Sequence, residues 1–220
     1  ERQAVLYELD KDFSYTAVSS SLDGQTFDYQ GKKQQLQGLS ISLLGPHQLQ
    51  NAALAVFVRE MLPEEFDVEA VRAGLLATRW PGRLEVFSRQ PLVMVDGAHN
   101  IDGIKALRAA LDTILEGRKL KLVLGILGDK AVDEILELIV PLASAGLIVT
   151  KPDNPRASNP DEVAQLARRY TNQPVVATRT VAEAVSRGLA ETKADEALCI
   201  SGSLYTISEA RDILKKQFES

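Results

Sequence analysis

The sequence holds one cysteine, Cys199, so an internal disulfide framework and a cysteine-rich zinc site are both excluded. A lone free thiol fits a reducing, cytoplasmic setting. Histidine is nearly as scarce, with two in 220 residues, which argues against a metal centre built from this chain's imidazoles. Long apolar runs are missing too. The runs at 91–95 and 122–127 have the length of buried strands, far below the ~18 residues of a membrane span. Basic residues are not in excess: 25 Lys and Arg face 30 Asp and Glu, and a net charge of −5 gives no electrostatic reason to expect nucleic acid. An initiator Met and a basic-then-apolar signal segment are absent ahead of the first residues, and the expectation is a fragment of a longer protein.

What is present suits a packed core. Hydrophobic residues make up 45% and charged residues 25%, which excludes a disordered tail, a collagen-like repeat and a coiled coil. The first third reads as antiparallel strands followed by helix. Asp23-Gly24 is a hairpin signal between an alternation of Phe13, Tyr15 and Ala17 and a strand carrying Phe27 and Tyr29. Leu39, Ile41 and Leu43 again alternate with period two. From 45 to 62 the period changes, and Leu49, Ala52, Ala53, Val56 and Leu62 can share one helical face before Pro63 ends it. A second helix is expected from Asp67 through Leu76.

Trp80-Pro81-Gly82 is the clearest punctuation, and it sets a domain boundary: 1–79, then 80–220. Beyond it, strands are expected at 91–97, 121–127, 145–151, 175–179 and 197–203. The stretches between them read as helices, the first with Ile104, Leu107, Leu111 and Ile114 on one stripe. Asn159-Pro160 and the pair Thr180 and Glu183 mark two helix starts. Apolar strands alternating with amphipathic helices predict an α/β, Rossmann-like domain with a mostly parallel sheet covered on both faces.

In such sheets, ligands bind beyond the carboxyl ends of the strands, where helix N-termini point free N–H groups. The informative residues therefore follow each strand: Asp96, His99 and Asn100; Gly128, Asp129 and Lys130; Lys151, Asn154 and Arg156; Ser201, Gly202, Ser203 and Tyr205. Each also has a plainer reading. His47 and Asp96 read as helix caps, Asn51 and His99 as surface residues, Arg83 as a partner for a carboxylate, and Arg156 as a loop charge. The cluster at 117–121 reads as a solvated helix end, and Cys199 as inert core. No G-x-G-x-x-G follows a strand and no G-x-x-x-x-G-K-[ST] occurs, so neither a dinucleotide fingerprint nor a Walker-type cradle lies in this sequence.

Six segments in order carry a more specific signal: LLGPHQLQNAALA (43–55), RWPGRLEVF (79–87), VDGAHNIDGIKAL (95–107), LGILGDK (124–130), TKPDNPRA (150–157) and SGSLYTISEAR (201–211). Together they resemble the carboxyl-terminal half of the dihydrofolate synthase/folylpolyglutamate synthase family, within the Mur-ligase superfamily. One departure is Ile101, where that family often has proline.

The resemblance implies that 1–79 ends a central ATPase domain and that 80–220 is the carboxyl-terminal ligase domain. It implies an enzyme that spends ATP to phosphorylate a pteroyl or γ-glutamyl carboxylate, which the amine of L-glutamate then attacks. It places Asn51 at the adenine, Arg83 at the phosphates and Asp96 at the ribose. His99 and Ser203 would hold glutamate, with Arg156 at one of its carboxylates, and Lys130 would face phosphate or glutamate. The P-loop, the Mg²⁺ ligands and much of the folate site would precede Glu1, so this chain alone is expected to be inactive. ATP, glutamate and dihydropteroate or a folate polyglutamate are the expected partners of a cytoplasmic monomer, with neither nucleic acid nor membrane. Two other classes stay open: half of a Mur-type cell-wall ligase, and a nucleotide-binding module without catalysis.

Overall fold

A computed structural model describes residues 5–128 and 130–218. The chain divides into two compact units, Glu1–Trp80 and Pro81–Ser220.

The first unit is a three-stranded antiparallel sheet, β1 (Ser14–Ser21), β2 (Gly24–Gln30) and β3 (Gln35–Ile41), in that order, followed by helices α1 (Pro46–Met61) and α2 (Val68–Ala77). Period-two alternation puts Phe27 and Tyr29 on one face of β2, where they meet Leu39, Ile41 and the Leu49, Ala53 and Val56 stripe of α1. Gly24 turns the first hairpin at φ 136°, and a Cβ there would lie 2.4 Å from the Ile41 carbonyl oxygen, so only glycine fits. Leu62, expected on the buried stripe, lies past the helix end and is 47% exposed. Burial is completed by a polar pair: Tyr29 donates its hydroxyl to Glu60 at 2.6 Å. Burial, and then the Glu60 carboxylate, push the Tyr29 phenol far above its ordinary value, which keeps it a donor.

The second unit is a six-stranded sheet. Its strands are β4 (Glu85–Arg89), β5 (Leu92–Val95), β6 (Leu120–Leu124), β7 (Gly146–Val149), β8 (Val175–Ala177) and β9 (Ala197–Ser201), in the order β4-β5-β9-β6-β7-β8. All pairs are parallel except β4 with β5. Helices α3 (Ile101–Ile114), α4 (Val132–Ile139), α5 (Pro160–Ala167), α6 (Val181–Glu191) and α7 (Leu204–Phe218) connect or follow the strands. The Ile104, Leu107, Leu111 and Ile114 stripe is buried as the period predicts. Truncating such a residue to Ala costs about 2–5 kcal/mol. Asn159 caps α5 through the Asp161 N–H, and Thr180 caps α6 through the Glu183 N–H, both as expected.

The sequence reading missed β4. Its residues are half-buried at the sheet edge and give no apolar run. All five expected strands, β5 to β9, are shorter than expected. Just past β6, Gly125 leaves room for the Thr206 side chain, which lies 2.3 Å from where a Cβ would be. The basic cluster at 117–121 is not wholly solvated. Lys121 lies inside β6 at 8% exposure and pairs with Glu191 at 2.9 Å, and that ion pair holds the Glu191 carboxyl below its ordinary value.

Candidate functional site

The parallel arrangement brings four loops to one edge of the second unit's sheet. The last strand, β9, lies between β5 and β6, so the loop carrying His99 is next to the one carrying Ser203. They are tied together: Asp96 N donates to Ile200 O at 3.0 Å and Gly202 N to Ala98 O at 3.1 Å. Gly202, at φ 107°, also meets the loop after β6, where a Cβ would come within 2.8 Å of the Gly125 carbonyl oxygen. The loops after β6 and β7 are joined in turn, with Gly128 N donating to Arg156 O at 2.7 Å and Ser158 N to Ile126 O at 3.0 Å.

Asp96 organises the first loop. One carboxylate oxygen accepts from Leu84 N at 3.0 Å and the other from Ala98 N at 2.9 Å, with the residue 6% exposed. It does not cap α3. Asn100 does, accepting from Gly103 N at 2.8 Å. By holding Leu84, which sits at φ 43°, Asp96 draws in the preceding segment, and Gly97 N closes it by donating to Gly82 O at 2.8 Å. Arg83 therefore lies against this loop: its Nη1 is 3.1 Å from where a Gly97 Cβ would stand. Glu85 anchors the other end, taking Arg211 Nε at 2.5 Å, Arg211 Nη2 at 3.0 Å and Gly82 N at 2.7 Å. Burial alone would raise the Glu85 carboxyl. Arg211 and the Gly82 N–H outweigh it and hold it below its ordinary value.

His99 is half-buried, and its Nδ1 donates to Gly97 O at 2.8 Å. That leaves Nε2 as the nitrogen open to a ligand: an acceptor when the ring is neutral, a donor when it is protonated. Ser203 is 1% exposed and sits at the cap position of α7, where its oxygen accepts from Thr206 N at 3.0 Å. Thr206 Oγ1 donates to Gly125 O at 3.0 Å, so the Ser203 proton goes to Thr206 Oγ1 at 2.8 Å. Both functions of the Ser203 hydroxyl are thus used inside the protein. Arg156 has an exposed side chain on a fixed backbone, and Lys130 is half-buried just after the loop's turn. Cys199 is fully buried, and burial, then the Asp96 charge, raise its thiol far above the reactive range.

Asn51 belongs to the first unit. It lies on α1, exposed, with Nδ2 donating to Gln48 Oε1 at 3.2 Å. Gln48 and Trp80, to which the sequence reading gave no site role, line the same cavity as Asn51. The signal available was Gln48 one turn before Asn51 and Trp80 beside the domain boundary. Among the described residues no three or more His, Cys, Asp or Glu side chains converge, so these residues do not fit a metal centre of their own. No helix among the described residues is long and apolar enough to cross a membrane.

The model of the Mur ligase, glutamate ligase domain, matches residues 82–204. The chain belongs to that family. It is 31% identical to the dihydrofolate synthase/folylpolyglutamate synthase of Bacillus subtilis over 87% of this chain and 45% of that protein. To the folylpolyglutamate synthase of Lacticaseibacillus casei it is 30% identical, over 93% of this chain and 47% of that protein. A solved structure of the Mycobacterium tuberculosis folylpolyglutamate synthase complexed with ADP superposes with a TM-score of 0.82 at 30% identity, over 94% of this chain and 48% of the other. The chain thus spans a little under half the length of these relatives.

Proposed function

We propose that this glutamate ligase domain and the unit before it serve an ATP-dependent ligase that adds L-glutamate to dihydropteroate or to a folyl-polyglutamate. The relatives' names supply the substrate class. The observation that carries the reading is the single sheet edge at which Arg83, His99 and Arg156 stand on loops bonded to one another.

The chemistry asks for a fixed cation at the phosphates, a grip on an amino acid whose amine must stay free, and exclusion of water from an acyl phosphate. Arg83 suits the first task, as a guanidinium on a segment pinned by Glu85, Asp96 and Gly97. Asp96 accepts Leu84 N–H and Ala98 N–H, one on each oxygen, and so orders the loop at which we place the ribose. Arg156, and His99 through Nε2–H when its ring is protonated, suit a carboxylate of glutamate and leave the amine free. Ser203 serves glutamate by fixing the α7 N-terminus, and Lys130 adds positive charge beside the loop after β6. Asn51 takes the adenine. Among the described residues no three His, Cys, Asp or Glu side chains converge to hold the Mg²⁺ that would accompany the nucleotide.

In the full-length enzyme, ATP-dependent transfer of labelled glutamate to dihydropteroate or to a folyl-polyglutamate tests the reading. Transfer to a nucleotide-linked peptide instead would make it a cell-wall ligase. We also propose that the 220-residue chain alone turns over no ATP, because its sequence holds no Walker-type phosphate loop. Glutamate-dependent phosphate release by the purified chain would refute that.

A further inference from the structure

Thr206 stands fully buried in the first turn of α7, where two loops of the candidate site meet. Its Oγ1 donates to Gly125 O at 3.0 Å, on the loop after β6, and lies 2.8 Å from Ser203 Oγ, on the loop after β9. Its backbone N–H donates to the same Ser203 oxygen at 3.0 Å. The side chain reaches Gly125 because that residue is glycine: a Cβ there would stand 2.3 Å from Thr206 Oγ1 and 3.0 Å from Cγ2. Gly125 N in turn donates to Ser201 O at 3.0 Å, so the segment from β9 into α7 holds Gly125 at both its N–H and its carbonyl.

The same segment holds the His99 loop on its other side, through Gly202 N and Ala98 O at 3.1 Å. Lys130 lies further along the loop that Gly125 begins. The spacing between His99 and Lys130 is therefore set through the turn from β9 into α7, and the Thr206 hydroxyl is the side-chain bond in that path. The Arg83 segment has anchors of its own. Glu85 takes Gly82 N and the Arg211 guanidinium, and Asp96 takes Leu84 N. Removing the Thr206 hydroxyl leaves all of those in place.

We propose that Thr206 is a positioning residue for glutamate: its buried hydroxyl fastens the loop after β9 to the loop after β6 and so sets the spacing of His99, Ser203 and Lys130. The inference rests on the glutamate reading above and adds the side chain that fixes its geometry. Thr206 touches no ligand itself, because it is closed off from solvent. The bond that bridges the loops is the one to Gly125 O, between neutral groups. Without it, bound glutamate must restore the loop spacing at its own expense. The expected loss of affinity is about 2- to 12-fold, from ~0.5–1.5 kcal/mol at ~1.4 kcal/mol per decade.

The test measures KM for glutamate and for ATP in the full-length enzyme, with thermal melts beside the kinetics. Thr206→Val keeps the side chain's volume and removes the hydroxyl. Thr206→Ser keeps the hydroxyl and removes a buried methyl, which lowers the melting temperature. The valine variant should raise KM for glutamate about 2- to 12-fold and leave KM for ATP within about 1.5-fold. The serine variant should hold KM for glutamate within about 1.5-fold of wild type despite its lower melting temperature, an order that packing alone does not produce. Should the valine variant fail to fold, Thr206→Ala read against Thr206→Ser isolates the hydroxyl in its place. Equal rises in both KM values, or a serine variant as impaired as the valine one, would overturn the proposal. So would an unchanged glutamate KM in Thr206→Val while His99→Ala raises it, which leaves the glutamate reading standing. A flat glutamate KM in both Thr206→Val and His99→Ala would overturn the two together.

Discussion

Glu85→Gln isolates the anchor on which the Arg83 segment depends. The carboxylate takes two Arg211 nitrogens, at 2.5 and 3.0 Å, and the Gly82 N–H at 2.7 Å. A glutamine offers one oxygen and one NH₂, so at least one of these donors would face another donor. Hydrogen bonds to charged groups are worth ~1.5–3 kcal/mol. The side chains of Arg211 and Glu85 keep 20% and 23% exposure, so solvent takes part of that. A net loss of about 1–2 kcal/mol is expected, which lowers the melting temperature of a unit this size by roughly 3–8 °C.

The pH dependence carries the same sign. Glu85 titrates below its ordinary 4.5, so its contribution is complete above that value and is lost as pH falls through the folded value. Thermal melts of wild type and variant between pH 7 and pH 3 should therefore converge at the acid end. A Tm difference below 1 °C at pH 7, or a gap that widens in acid, would refute the reasoning.

Other outcomes follow from the same geometry. In the full-length enzyme, Arg83→Ala should lower kcat/KM for ATP by roughly 10- to 150-fold, the cost of a charge-assisted bond; Lys105→Ala, on the exposed face of α3, is the control. Gly97→Ala places a Cβ 2.8 Å from the Leu204 side chain and 3.1 Å from Arg83 Nη1, so it should impair ATP use and stability together, as kinetics and melts will show. His99→Ala should raise KM for glutamate while ATP affinity holds. Ser203→Ala should lower Tm as well, because it strips the α7 cap at a cost of ~0.5–2 kcal/mol.

Much of the fold was legible because burial writes itself into periodicity. The Ile104, Leu107, Leu111 and Ile114 stripe, the apolar parallel strands and the caps at Asn159 and Thr180 all depend on local chemistry. Edge strand β4 was not legible, since half-buried residues at an edge obey no apolar rule. Lys121 misled for a related reason: its partner, Glu191, lies 70 residues away, a distance no local pattern spans. At the candidate site, residue types could be read but hydrogen-bond commitments could not. The sequence cannot tell that Ser203 gives its proton to Thr206 or that Asp96 clamps Leu84. Those facts depend on which loops meet, and β9 lying between β5 and β6 decides that.

The most direct test of the central claim is a single assay on the full-length enzyme: ATP-dependent transfer of labelled L-glutamate to dihydropteroate or a folyl-polyglutamate, wild type beside Arg83→Ala. The account predicts one amide formed per ATP cleaved in the wild type and a strong loss in the variant. Glutamate transfer without ATP, or undiminished transfer by Arg83→Ala, would contradict it.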